Sequence, residues 1–276
     1  GEPSIDVWAM DVARFGDYAS PQYGTIKSSE NYERRFIMTF PNETLPKGRK
    51  QKTTALYDRF VNQGAVMGDS FGLENVLWFA NNKEDAHEEP TIKRSRSHDY
   101  VSREVINVRE NVGLIEVANF SKHEFKGTDA RKFLDHVMAG KLPKPGRISL
   151  SPMLSYRGKL CGDLTVACLD ENEFMVFGSG AAQEMHRRWF ESHLDKFDVN
   201  YKNRSDEFHG ISIAGPNSRK VLEKIVRDDV SNEKFKFRDS RRMFVGGVPA
   251  IINRISFTGE LGYEIYVAPH YQIKLY

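Results

Sequence analysis

Cysteine is scarce in this sequence. Of its 276 residues only Cys161 and Cys168 are cysteines, and they form neither a C-x-x-C pair nor any zinc-binding spacing. Their odd separation along one predicted strand points the two side chains to opposite faces, so we expect no disulfide between them. Two free thiols favour a reducing compartment, the cytoplasm or, in a eukaryote, the mitochondrial matrix.

An excess of charge of either sign is also missing. The 40 basic and 38 acidic residues leave a net charge of +2, which gives no reason to expect a nucleic acid as partner. No segment reaches the roughly 18 apolar residues of a membrane helix, and no secretory signal opens the sequence. The hydrophobic content of 39% is nevertheless enough for the cores of about two domains.

Two common kinds of ligand site are absent as well. The segment Phe177-Gly-Ser-Gly-Ala-Ala182 begins like a dinucleotide-binding loop, but Gln183 stands where the third glycine is needed. We therefore predict that this chain binds no FAD. The eight histidines form no metal-ligand pattern. His186 and His193 are spaced to share one helix face, but no acidic residue completes a metal site.

One phrase occurs twice and indicates how the chain is organised. Residues 127–134 read Gly-Thr-Asp-Ala-Arg-Lys-Phe-Leu, and residues 215–222 read Gly-Pro-Asn-Ser-Arg-Lys-Val-Leu. Each phrase follows a short β-like run and opens a helix, with Asp129 or Asn217 as the expected capping residue. The repetition predicts two related units and a ligand site in the cleft where they meet.

Apolar alternation and turn residues place the elements within these units. We predict one repeat at about 113–200 and the other at about 208–276. Helices are expected near 128–139 and 181–195 and from His270 onward. The fold class is α+β, with sheets rich in antiparallel strands. Strands are expected near 114–118, 123–126, 147–154, 160–169, 173–177, 209–214, 243–246, 249–257 and 263–267.

Two carboxylates are the main candidates for chemistry. Asp163 lies between a glycine and an apolar run, where a desolvated carboxylate is suited to act as a base or to stabilise a cation. The alternative is a turn aspartate that caps backbone amides. Glu260 lies between Gly259 and Gly262, and a buried glutamate there suits a bidentate hydrogen bond to an aminopyrimidine edge. The alternative is a solvated hairpin residue, and for Glu264 we expect a cross-strand salt pair.

Several aromatic residues are able to stack on a flat ligand ring. These residues are Tyr156, Tyr263, Phe120 and Trp189. Aromatic residues at such spacings also commonly belong to the core.

These motifs together resemble the folate-binding domain of the glycine-cleavage T-protein (aminomethyltransferase) superfamily. The upstream part resembles the dimethylglycine and sarcosine dehydrogenases, in which a flavin-bearing oxidase domain precedes the folate domain. The resemblance covers essentially the whole chain. The segments that carry it are 112–117, 127–130, 153–154, 162–166, 215–216 and 254–264 for the folate domain, and 6–15, 30–36, 40–43 and 70–75 for the dehydrogenases.

The resemblance implies a particular domain organisation. Residues 1–45 would be the tail of an FAD oxidase domain with a linker, and residues 46–276 a folate-binding domain without its C-terminal barrel. The fold would be two pseudo-repeated α/β units of the aminomethyltransferase type. We therefore expect this chain to be a fragment, with FAD held only by a domain that precedes Gly1.

The resemblance also implies a function. The flavin domain of such proteins oxidises a small N-methyl amine to an iminium, and tetrahydrofolate captures that carbon as 5,10-methylenetetrahydrofolate. Glu260 falls on the family's folate-binding glutamate. Asp163 falls on the second of two family aspartates, and Gly162 stands in place of the first, the one usually held to be catalytic. We take Asp163 as the catalytic candidate and Glu260, Tyr263 and Tyr156 as the folate-binding candidates.

Two other functions fit the same residues. One is a non-catalytic regulatory relative of the same architecture, which tetrahydrofolate binding would distinguish. The other is a stand-alone aminomethyltransferase, against which the oxidase-like residues 1–45 argue.

Overall fold

The chain folds into two compact units. The computed structural model describes residues 8–41 and 43–276. The smaller unit is Phe15–Glu110, and the larger unit joins the residues up to Arg14 with Asn111–Tyr276. Within the described residues, no helix is both long enough and apolar enough to cross a membrane.

The smaller unit combines three helices with one β-hairpin. Its helices are α1 (Pro21–Glu33), α2 (Tyr57–Asn62) and α3 (Ser97–Glu110), and its strands are β1 (Ala65–Ser70) and β2 (Leu73–Phe79). Helix α1 begins where the Ser20 hydroxyl accepts a hydrogen bond from the Tyr23 amide at 3.2 Å. Trp78 of β2 packs on Tyr100 of α3 with ring centroids 4.9 Å apart, which joins the hairpin to the last helix.

The larger unit contains two five-stranded antiparallel sheets. The first has the strand order β5-β6-β7-β4-β8, and the second has the order β10-β11-β12-β9-β3. The strands are β3 (Gly113–Glu116), β4 (Ser121–Lys126), β5 (Arg147–Leu154), β6 (Leu160–Asp170), β7 (Glu173–Gly178), β8 (Asn200–Asn203), β9 (His209–Ala214), β10 (Ser240–Val245), β11 (Val248–Asn253) and β12 (Gly262–Val267). The helices are α4 (Ala130–Val137), α5 (Gln183–Glu191), α6 (Ser218–Leu222) and α7 (Gln272–Leu275).

The repeated phrase occupies the same local structure in both sheets. The Gly127 amide donates to the carbonyl of Asn172, just before β7, and the Gly215 amide donates to the carbonyl of Leu261, just before β12. Both glycines have positive φ, 144° and 121°. These matched contacts confirm the prediction of an α+β fold built from two pseudo-repeated units.

The edge strands differ from the expected arrangement. The sequence predicts residues 113–116 in the first repeat, but as β3 they pair with β9 in the second sheet. The corresponding place beside β4 is taken by β8, a strand that was not predicted. Strand β3 thus completes the sheet of the other repeat, although it lies next to the first repeat in sequence.

The expected capping residues hold these edge strands. Asp129 and Asn217 stand at the N-cap positions of α4 and α6, but neither side chain caps its own helix. Instead an Asp129 carboxylate oxygen accepts from the Asp198 amide at 3.1 Å, just before β8. The Asn217 amide donates to the Asn111 side chain at 2.8 Å, just before β3. Each residue therefore ties a helix start to an edge strand.

Apolar side chains fill three layers of this unit. One cluster lies between the first sheet and helices α4 and α5, a second lies on the second sheet and includes Leu222 of α6, and a third lies between the two sheets. The sheets also meet at one edge, where the Ile148 amide donates to the Arg238 carbonyl at 2.8 Å and the Ser240 amide donates to the Gly146 carbonyl at 2.9 Å. Both faces of each sheet are therefore covered along much of their length.

The two cysteines correct one expectation. Both are free, as predicted, but both pack against the cluster of the first sheet rather than on opposite faces. A β-bulge places one extra residue, Cys161, in β6 and so shifts the alternation of side chains. Their separation along the strand, about 23 Å at roughly 3.3 Å per residue, still prevents a disulfide.

Candidate functional site

Strand β6 directs Asp163 toward the layer between the sheets. Leu164 and Val166 belong to the helix-side cluster, whereas Ala167 belongs to the cluster between the sheets. Asp163 has the same alternation as Ala167 and therefore lies on the inter-sheet face. It is exposed and pairs in register with Pro152 of β5. This carboxylate is thus solvated, at an open end of the inter-sheet layer.

Strand β12 directs a second carboxylate into the same layer. Tyr263 and Ile265 belong to the second sheet's own cluster, whereas Tyr266 belongs to the inter-sheet cluster. Glu264 alternates with Tyr266, so it also lies on the inter-sheet face. Unlike Asp163, Glu264 is only 8% exposed.

The surroundings of Glu264 favour its neutral form. Burial raises the pKa of Glu264, and a hydrogen bond from the Tyr266 hydroxyl, 2.8 Å from Oε2, opposes that rise. Burial together with the adjacent carboxyl raises the pKa of Tyr266 in turn. The cross-strand neighbours of Glu264 are Asn253 and Ser212, so the expected cross-strand salt pair is wrong.

Glu260 lies in the loop that leads into β12. It is half-buried, and its backbone carbonyl accepts a hydrogen bond from the Ser256 hydroxyl at 2.5 Å. Gly259 has φ of 90°, which is the backbone freedom that the glycines of this loop were expected to supply. The neighbouring Phe257 is 90% exposed. The loop therefore carries one half-buried carboxylate and one exposed ring.

The two tyrosine candidates lie in contrasting surroundings. Tyr263 has no exposed surface; its ring stacks on Phe235 with centroids 5.9 Å apart, and its hydroxyl accepts from Arg219 at 3.1 Å. Tyr156 is 86% exposed at the tip of the β5–β6 hairpin, and its hydroxyl lies 2.8 Å from His193 Nε2. In this structure Tyr263 packs on the face of β12 that points away from the first sheet. Tyr156 lies on the helix side of its hairpin.

The structure thus places two carboxylates on the inter-sheet layer, Asp163 from the first sheet and Glu264 from the second. Glu260 precedes Glu264 by four residues in the adjoining loop, and Tyr156 lies on the other face of the Asp163 hairpin. Sequence reasoning did not select Glu264 as a candidate site residue. The signal was a charged residue within the apolar run Tyr263–Val267, all of which is buried. Among the described residues, no group of His, Cys, Asp and Glu is placed to hold a metal ion.

Two facing antiparallel sheets built from one repeated unit define the class of this fold. The structure aligns with the crystal structure of glycine cleavage system aminomethyltransferase T from Bartonella henselae at a TM-score of 0.67, over 81% of this chain and 55% of that one. At 20% sequence identity, this likeness establishes the fold alone.

The sequence comparisons establish the family. Residues 56–276 match the GCVT N-terminal domain, and residues 1–54 match the FAD dependent oxidoreductase central domain. The chain belongs to the GCVT N-terminal domain family, which confirms the resemblance drawn from its motifs.

Two human relatives illustrate the similarity. The chain is 34% identical over 280 residues to mitochondrial dimethylglycine dehydrogenase, covering 100% of this chain and 32% of the relative. It is 26% identical over 314 residues to mitochondrial sarcosine dehydrogenase, covering 97% of this chain and 34% of the relative. The chain therefore spans about a third of the length of these relatives.

Proposed function

We propose that this chain is the tetrahydrofolate-binding part of a flavoprotein that demethylates a small N-methyl amine, such as dimethylglycine or sarcosine. Its task would be to hold tetrahydrofolate while an iminium carbon is captured as 5,10-methylenetetrahydrofolate. The similarity to two dehydrogenases along nearly the whole chain supports this function. The observation that carries it is the buried Glu264 carboxyl in the layer between the sheets.

A buried carboxyl fits the pterin part of tetrahydrofolate. The aminopyrimidine edge presents two adjacent N–H donors, and a carboxylate accepts both in a bidentate pair. Burial that raises the pKa of free Glu264 would be offset by such a pair, because the donors stabilise the ionised form. Glu260 is the candidate from sequence and Glu264 the candidate from structure, and we favour Glu264 because it is more deeply buried.

Asp163 would act through its charge. Bound tetrahydrofolate supplies the nucleophilic nitrogen, and the reaction gives methylenetetrahydrofolate and the demethylated amine. A fixed carboxylate on the same layer would stabilise positive charge near the reacting nitrogen. Tyr263 would hold β12 in place, and Tyr156 would anchor the hairpin that carries Asp163. FAD would belong to a flavin domain outside this chain.

Tetrahydrofolate titration of the purified chain tests the proposal. We expect wild-type binding that Glu264→Gln weakens by about 10- to 100-fold, the range of a hydrogen bond to a charged group. Glu260→Gln tests the competing assignment. Glu171→Gln is the control for both variants. The aligned contacts of Asn172 and Leu261 make Glu171 the counterpart of Glu260 in the first repeat. A wild-type chain that does not bind tetrahydrofolate would contradict the proposal.

The role of Asp163 requires the protein with its flavin domain. There Asp163→Asn should leave reduction of the flavin by the amine unchanged. It should lower the yield of methylenetetrahydrofolate, with formaldehyde released instead, because an uncaptured iminium hydrolyses. An unchanged yield would make Asp163 a turn residue.

The solvated position of Asp163, with a glycine before it, favours one alternative. That alternative is a non-catalytic regulatory relative, which would bind tetrahydrofolate weakly or not at all, so the tetrahydrofolate titration of the purified chain distinguishes it. A stand-alone aminomethyltransferase is disfavoured by the oxidase-domain match over residues 1–54. For the compartment, the two free thiols support the cytoplasm or the mitochondrial matrix.

A further inference from the structure

Two histidines of one segment contact the hairpin that carries Asp163. His186 lies within α5 and is 2% exposed, and His193 follows the end of that helix and is half-buried. The β5–β6 hairpin lies against both. The spacing of these two histidines predicts that they share a helix face, but no metal site explains why both are there.

His186 packs against the backbone at an irregular point of the hairpin. Cys161 is the extra residue of the β-bulge in β6, and the backbone of a bulged residue lacks its normal ladder partner. His186 Nε2 lies against this point, since a Cβ atom on the next residue, Gly162, would be 3.0 Å from it. Burial lowers the pKa of His186, and the Cys161 backbone opposes that shift. The Cys161 thiol donates to the Met153 carbonyl at 3.3 Å. The bulge is therefore fixed from both sides.

Gly162 leaves the space that this contact needs. A Cβ atom at position 162 would lie 3.0 Å from His186 Nε2 and 3.1 Å from the Met153 terminal methyl. That separation is tighter than ordinary van der Waals contact, which begins near 3.4 Å. The imidazole thus approaches the strand at the one residue without a side chain, directly before Asp163.

His193 holds the tip of the same hairpin. Its Nδ1 lies 2.8 Å from the Trp189 carbonyl, which requires Nδ1 to be the protonated nitrogen. Nε2 is then an acceptor, and the Tyr156 hydroxyl donates to it at 2.8 Å. We infer the opposite tautomer for His186, with its proton on Nε2 facing the Cys161–Gly162 backbone, because its buried Nδ1 has no hydrogen-bond partner among the described residues.

We propose that His186 and His193 are positioning residues for Asp163. As a histidine clamp they fix the bulge and the tip of the β5–β6 hairpin on α5, and so fix the direction of the Asp163 carboxylate. Bulges commonly re-aim a nearby side chain in this way. The role in positioning a catalytic carboxylate rests on the proposed function, whereas the clamp itself is a property of the fold.

Four variants separate positioning from simple packing. His186→Phe keeps the ring volume and removes the donor, whereas His186→Gln keeps a donor. Tyr156→Phe removes only the hydroxyl that binds His193, and His270→Gln is a control at an exposed histidine. In the protein with its flavin domain, we expect His186→Phe to lower methylenetetrahydrofolate yield about three- to tenfold, with the His186→Gln yield restored to within about twofold of wild type.

Tyr156→Phe should lower the yield less, and the control should leave it unchanged. Tetrahydrofolate affinity should change by less than about threefold in all four, since the clamp acts on Asp163 rather than on the pterin site. A His186→Phe variant with wild-type yield would overturn the positioning role. A His186→Gln yield as low as that of His186→Phe would also overturn it, because the donor would then be irrelevant.

Two structural measurements test the clamp without any folate. Nitrogen-15 spectra should show His186 as the Nε2–H tautomer and His193 as the Nδ1–H tautomer; averaged tautomers at both sites would overturn the clamp. In thermal unfolding, Gly162→Ala should lower the melting temperature in the wild type and much less in His186→Ala. Additive effects of the two substitutions on the melting temperature would also overturn the clamp. If tetrahydrofolate does not bind at all, the proposed function fails, and these two measurements still decide whether the clamp exists.

Discussion

Phe177 of β7 and Tyr266 of β12 stack on each other, with ring centroids 4.5 Å apart and planes 30° from parallel. The two residues occupy equivalent positions, since Phe177 pairs with Lys122 of β4 and Tyr266 pairs with Gly210 of β9 in the same register. A Cβ atom on Gly210 would lie 2.6 Å from the Tyr266 ring. One position of the repeat, used twice, therefore joins the two sheets at their centre.

This contact makes a first prediction about stability. Phe177 is 5% exposed, so Phe177→Ala should lower the free energy of unfolding by about 3–5 kcal/mol through lost burial and a cavity between the sheets. Phe257→Ala is the control, because Phe257 is 90% exposed and its loss should change the value by no more than about 0.5 kcal/mol. Urea denaturation measures both. A cost under about 1 kcal/mol for Phe177→Ala would mean that the sheets are not joined there.

The repeated glycine makes a second prediction. Gly127 has φ of 144°, and an added Cβ would lie 2.4 Å from the Asp198 carbonyl oxygen. Gly127→Ala should therefore destabilise the protein by at least about 1–3 kcal/mol. Gly24 of α1 is the contrasting case, since a Cβ there meets no atom within 4 Å. Gly24→Ala should stabilise by about 0.5–1 kcal/mol, and thermal unfolding followed by circular dichroism should show shifts of opposite sign.

The buried histidine of β4 makes a third prediction, about acid stability. His123 has no exposed surface, its ring lies against Phe190 and Tyr201, and its Nδ1 lies 2.9 Å from the Tyr201 hydroxyl. Burial, with a smaller contribution from the neighbouring His186, lowers the pKa of His123 from 6.5 to about 3.

The sign of the pH dependence follows from this shift. Below pH 6.5 the unfolded chain takes up a proton that the folded chain refuses, so stability falls as the pH drops from about 6.5 toward 3. The loss from this residue is about 1.4 kcal/mol per pH unit within that interval. His123→Phe should flatten the slope measured by urea denaturation between pH 7 and pH 4, whereas His270→Phe should not. Equal slopes in wild type and His123→Phe would contradict the prediction.

The sequence indicated much of the sheets because alternation and turns are local signals. Strands β5, β6 and β7 lie within one or two residues of their expected bounds, and the repeated phrase identified the duplication. The place of β3 was not predictable in this way, because an edge strand is assigned by long-range pairing that its own residues do not encode. The β1–β2 hairpin was missed for want of a clear alternating pattern.

The candidate site was predictable only in part. Glycines indicated the Glu260 loop, but the direction of Glu264 depends on which face of β12 meets the other sheet, and that is decided by tertiary packing. The bulge at Cys161 leaves no mark in composition, so the side on which this thiol packs was predicted wrongly. This error concerns the face of a strand, because one extra residue reverses the alternation of side chains.

Glu264 makes the fourth prediction, which separates the needs of the fold from those of the site. Burial raises the pKa of this carboxyl above 4.5, so the fold favours its protonated form. Stability from this residue is fully present below about pH 4.5 and is lost as the pH rises through the folded-state pKa. Glu264→Gln retains the shape without the charge and keeps an acceptor for the Tyr266 hydroxyl. The variant should therefore gain stability relative to wild type at pH 7.5 and show little difference at pH 4, as urea denaturation at both values would measure.

The same variant should bind tetrahydrofolate more weakly, because a neutral amide cannot replace a carboxylate facing two donors. Glu171→Gln should change neither quantity. If Glu264→Gln is instead less stable than wild type at pH 7.5 and equal to it at pH 4, the carboxylate is ionised and stabilised by the protein itself, and it does not await a ligand.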